Sequence, residues 1–142
     1  MLIDMKMDAT DHANLVIDRL LQSLIILIKR SLAVYINEVE GIKRVMNNKK
    51  LYARLLTKFK NENNLEGLWS ALAVKDYKKA QEIIHAIKGV AGNLALSELF
   101  EKSKNFEGQI RTESIDIQTV EAIKVCYGET LNAIDTVITR YV

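Results

Sequence analysis

Residues 76–94 read DYKKAQEIIHAIKGVAGNL, and this stretch decides the fold. Ala80, Ile83, Ile84, Ile87, Ala91 and Leu94 recur at helical spacing and define one apolar face of a helix running from about Asp76 to Leu94. The Lys75-Asp76 pair marks the turn before it. The same period continues downstream. A helix from about Ser97 turns Leu99, Phe100, Ser103, Phe106 and Ile110 inward, and one beginning after Asp116 carries Val120, Ile123, Tyr127, Leu131, Ile134, Val137, Ile138 and Tyr141. Upstream, Tyr52, Leu55, Leu56 and Phe59 form one stripe and Leu65, Leu68, Trp69 and Leu72 another, with residues 60–64 polar between them. The favoured reading is one long helix from about Lys49 with a polar waist, two helices being the alternative. Asn37 followed by Glu40 resembles a capping box that opens a short helix with Val39, Ile42, Val45 and Met46, which Asn47-Asn48 interrupts. The first segment runs from about Thr10 to Tyr35, capped by Thr10 or Asp11, and its apolar face is broad; packing against the rest of the same domain is the favoured reading, a dimer contact or a linker helix of a larger protein the alternatives.

Six amphipathic helices and no hairpin-turn signal predict an all-α protein: an antiparallel up-and-down four-helix bundle with additional N-terminal helices packed across or beside it. Residues 1–34 are read as an N-terminal extension and residues 35–142 as the bundle. The absence of proline leaves long helices unbroken. A net charge of +2 from 20 basic and 18 acidic residues gives no clustered basic footprint, so nucleic acid is not an expected partner. Cys126 is the only cysteine, which precludes an internal disulfide and fits a reducing compartment. The start is acidic rather than basic, unlike a secretory leader, and the apolar run at residues 15–28 is interrupted by Asp18, Arg19, Gln22 and Ser23. A membrane span needs about 20 mostly apolar residues, so a cytoplasmic protein is expected. His12 and His85 have no acidic or thiolate companions at ligand spacing, so no metal site is expected.

The chemistry gathers at His85. At about 100° per residue, Lys88, Gly89 and Gly92 fall roughly −60°, +40° and −20° from it, on one face. His85 itself lies one step round from Ile84, at the edge of the buried face. Each glycine inside a helix costs roughly 0.5–1 kcal/mol relative to alanine. Two glycines there make room either for another molecule to approach His85 or for a neighbouring helix to pack closely. An imidazole near neutral pH is a competent nucleophile toward an activated phosphoryl group, and Lys88 one turn on offsets phosphoryl charge. Lys78, Gln81 and Glu82 lie a turn or two earlier near the same face, bordering a docking surface or forming a solvated one.

The run His85-Ala-Ile-Lys88-Gly89-Val-Ala91-Gly92-Asn93-Leu94 resembles the motif of histidine-containing phosphotransfer domains. The likeness extends upstream through Glu40-Gly-Ile-Lys-Arg-Val, Asn48-Lys-Lys-Leu-Tyr52-Ala-Arg-Leu-Leu56-Thr-Lys-Phe59 and Lys75-Asp76-Tyr77, and covers the chain from about Tyr35. It implies a four-helix bundle with the histidine exposed at mid-helix. It also implies phosphoryl exchange between His85 and an aspartate of a response-regulator receiver domain, with a sensor histidine kinase as a further partner. The chain would need no cofactor of its own, the partner receiver supplying the divalent metal. Ala95 departs from the pattern, standing where many members have glycine, and residues 1–34 have no counterpart in the minimal domain.

Two other function classes compete. An ATP-dependent kinase is disfavoured because the chain lacks a Gly-rich nucleotide loop, a Walker-type Gly-Lys-Ser/Thr motif and the His-Glu-x-x-x-Pro pattern of kinase dimerisation helices. A non-catalytic interaction module, with a homodimer contact on the N-terminal helix, is compatible with the first reading.

Overall fold

A computed structural model describes residues 9–63 and 65–141, with the side chains of residues 29–34 outside that description. Seven helices are present among the described residues: α1 (Ala9–Tyr35), α2 (Glu38–Arg44), α3 (Lys49–Glu62), α4 (Glu66–Ala73), α5 (Tyr77–Asn93), α6 (Ser97–Arg111) and α7 (Ile117–Tyr141). The chain divides into two compact units after Leu32, the second running from Ala33 to the end.

In the first unit, α1 takes in Thr10 and Asp11, so neither caps it from outside, and Asp11 lies in its first turn. The residues that would cap it lie outside the described ones. Its large aliphatics from Leu15 to Ile28 are exposed.

The second unit is an all-α bundle. Successive helices pack in a ring, α4 on α5, α5 on α6, α6 on α7, and α7 back on α3. One corner is therefore shared by two short helices where the sequence favoured one. The break falls at the polar waist: Asn63 takes an extended conformation and its carbonyl accepts the Tyr127 hydroxyl, while Leu65 beyond it is buried. A buried aliphatic after a polar run is better served by redirecting the chain than by prolonging an exposed helix. The core is filled by Tyr52, Leu56 and Phe59 of α3, Leu68 of α4, Ile84 and Ile87 of α5, Leu99, Phe106 and Ile110 of α6, and Ile123 and Ile134 of α7. Each buried aliphatic of this size contributes roughly 1.5–3 kcal/mol. Cys126 lies in the same interior, where burial pushes its thiol up.

The helix starts follow local chemistry. Asn37, Asn48 and Asp76 each accept a hydrogen bond from the backbone three residues on. The capping box at Asn37 is only half formed. The Asn37 N–H donates instead to the Ala95 carbonyl at 2.9 Å, and the Glu40 carboxylate pairs with Arg44. That substitution ties α2 to the end of α5. Arg44 does the same by donating to the Gly92 carbonyl, and α3 joins the junction through the buried Tyr52 hydroxyl, which donates to the Leu94 carbonyl at 2.6 Å. Gly41 permits this junction, because a Cβ there would stand 2.4 Å from the Tyr52 hydroxyl.

The turn between α5 and α6 explains what the departure at Ala95 costs. Leu96 N–H reaches back to the Ala91 carbonyl and Ala95 N–H to Gly92, a closure that puts Ala95 in the left-handed region at φ 57°. Glycine adopts that conformation without the steric penalty an L side chain incurs. Ala95→Gly is expected to stabilise the protein by about 0.5–1 kcal/mol, measured as a rise in the urea midpoint at unchanged slope.

Candidate functional site

The site is built on the α5–α6 hairpin, the most extensively packed pair in the bundle. Its foundation is Glu107 of α6, a carboxylate whose side chain is only 5% exposed. A carboxylate this deep must be paired. Three donors reach it. Lys88 Nζ lies 2.8 Å from Oε2, His85 Nδ1 lies 3.1 Å from Oε1, and Arg111 Nη2 lies 3.2 Å from Oε1. Burial opposes ionisation of Glu107, but hydrogen bonds from Lys88 and His85 and their charges outweigh it and hold the carboxyl below its ordinary value.

An ionised carboxylate can only accept, so the proton in the His85 contact belongs to Nδ1. In the neutral form of the ring the lone pair is then on Nε2. The ring is outward: the His85 side chain is 68% exposed, whereas that of Lys88 is 24% exposed. With the ring neutral, the arrangement presents an oriented nitrogen lone pair to solvent, with a lysine and an arginine beside it. It has the elements of a nucleophile held in one tautomer.

The two glycines separate. A Cβ on Gly92 would lie 3.3 Å from the Phe100 ring, so the space it leaves is used inside the bundle. A Cβ on Gly89 would meet nothing within 4 Å, so helix packing does not require glycine there and the surface beside His85 is left low. Lys78 and Glu82 are exposed and Gln81 is half-buried, all on the His85 side of α5. Lys78 and Arg111 add positive charge around the ring.

Glu107 and Arg111 are absent from the sequence reading. The available signal is the helical register of α6: Leu99, Ser103, Phe106 and Ile110 are buried, and Glu107 falls within that buried arc. A charge on an apolar stripe demands a partner, and α5 provides it. Among the described residues, no three His, Cys, Asp or Glu side chains gather as a metal cage, and no helix is long and apolar enough to cross a membrane.

No known protein family, curated protein or solved structure matches the chain.

The lowered Glu107 value fixes a pH dependence. A carboxyl depressed on folding contributes stability that is fully present above its ordinary value of 4.5 and is lost as pH falls through the lower folded value. Glu107→Gln should therefore cost on the order of 1 kcal/mol at neutral pH, modest because His85 and Arg111 are largely exposed. The gap between variant and wild type should narrow as pH falls below 4.5 and close once it has passed the lower folded value, in denaturant titrations. A gap independent of pH would refute the ion-pair account.

Proposed function

We propose that the protein is a phosphoryl carrier that accepts the group on Nε2 of His85 and exchanges it with an aspartate of a receiver domain. The observation that carries this reading is the Nδ1 contact to a buried carboxylate on an otherwise exposed imidazole. The resemblance of residues 85–94 to histidine phosphotransfer domains supports it from the sequence side.

The step balances as follows. The Nε2 lone pair attacks phosphorus of an aspartyl phosphate, the N–P bond forms, and the P–O bond to the aspartate breaks to release its carboxylate. Because Nδ1 keeps its proton, the phosphorylated ring is a cation, and Glu107 lies 3.1 Å away to offset it. Lys88 and Arg111 can turn toward the phosphoryl oxygens, exchanging part of their interaction with Glu107 for one with the incoming anion. The reverse step returns the group, since a cationic ring is a good leaving group. The partner brings the activated phosphoryl group, the in-line geometry and the divalent ion. Gly89 leaves room for its approach, and Lys78 would favour encounter with an acidic partner site.

Incubation with a pre-phosphorylated receiver domain is the direct test. Wild type should take up acid-labile, base-stable label. His85→Gln should take up none while its helical circular dichroism is unchanged. Glu107→Ala should slow uptake roughly 10–100-fold by freeing the ring, with Glu107→Gln restoring much of the rate. Gly89→Gln should slow transfer without lowering stability. ATP with a divalent ion alone should label nothing. Label retained in His85→Gln overturns the assignment, and no transfer from any receiver of the same cell favours a non-catalytic interaction module.

A further inference from the structure

Among the described residues, the second unit leaves Val39, Met46, Val74, Ile117 and Val125 exposed on separate elements and turns, whereas on α1 every large aliphatic from Leu15 to Ile28 is exposed. Ile17, Leu20, Leu21, Leu24, Leu27 and Ile28 are each 51–60% exposed. At about 100° per residue they occupy one side of the helix, and with Val16 and Ile25 at its edges the face spans roughly 180° without a polar side chain. Asp18, Arg19, Gln22 and Ser23 lie on the other side, together with the exposed Leu15 and Ile26. Ile17, Leu20, Leu24 and Leu27 follow the alternating three- and four-residue spacing of a helix–helix seam.

From Val16 to Ile28 the face is about 20 Å long. At about half exposure, its eight aliphatics offer on the order of 700 Å² per chain, close to the roughly 800 Å² per partner of a stable interface. Monomeric proteins rarely leave a contiguous apolar patch of that size open. A lipid surface fits poorly. The helix carries two acidic and three basic residues, not the Lys- and Arg-rich polar face that draws a helix to anionic membranes. It is also not apolar enough to cross one. A second copy of the same face meets the requirement, being equally apolar, equally long and free of net charge at the seam.

We infer that α1 is a self-association helix, its Ile17–Leu20–Leu24–Leu27 seam packing against the same seam of a second chain. The assembly would then hold two His85 sites. This inference does not rest on the phosphoryl reading, because the His85 face and the α1 face share no residue.

Sedimentation velocity on the full chain, from about 1 to 100 μM, tests it. Wild type should sediment as twice its 16.1 kDa mass and dissociate on dilution. Leu20→Glu/Leu24→Glu should run as a single chain at the same concentrations, with unchanged helical circular dichroism. A single-chain wild type at 100 μM overturns the inference, as does a double variant that still dimerises. Loss of the bundle's cooperative unfolding in the variant also overturns it, because the face would then cover its own chain. So does single-chain protein that floats with phosphatidylserine-containing vesicles.

Discussion

A carboxylate inside a helical bundle is the constraint on which the site depends. Glu107 is nearly sealed from water, and removing its solvation is repaid only through Lys88, His85 and Arg111. Those contacts come from two helices, so the ion network also fixes how α5 lies against α6. The same contacts orient the imidazole. Packing, electrostatics and the choice of ring nitrogen are one arrangement seen from three sides. A hydrophobic residue at position 107 could fill the space, but it would leave the ring without a hydrogen-bonding partner.

The parts of the fold that were legible in the sequence are those set by neighbours along the chain. Asp76 caps α5 because its side chain reaches three residues on, and the stripe Ala80, Ile84, Ile87 and Ala91 is buried because the helical period places it on one side. The α3–α4 break was not decidable on the same terms. A polar run fits a solvated waist as well as a turn, and the deciding factor is Tyr127, which binds the Asn63 carbonyl from a helix far along the chain. The capping box at Asn37 failed for a similar reason: a distant carbonyl, that of Ala95, takes the backbone donor the motif reserves for Glu40.

At the site, His85 and Lys88 were legible because one helix carries both. Glu107 was not, because its meaning depends on which helix packs against α5. The glycines show the same divide. Nothing in the spacing distinguishes Gly89 from Gly92, yet the Phe100 ring occupies the space at one and solvent the space at the other. A closer reading of the hairpin would have found the carboxylate. In two antiparallel helices joined by a tight turn, residues equidistant from the turn lie side by side, and His85 and Glu107 are equidistant from Leu96.

That symmetry also bears on how the protein acquires its site. His85 and Glu107 lie on consecutive helices joined by a turn of three residues, Leu94 to Leu96. Bringing them together closes a short loop, an event of microseconds or less in an unfolded chain, with a small entropic penalty. The ring contacts of α7 with α3 join segments much farther apart and form more slowly. His85 and its buried carboxylate partner therefore belong to the most local part of the topology. A lesion in the long-range packing slows completion of the bundle while leaving the α5–α6 hairpin the first element able to assemble.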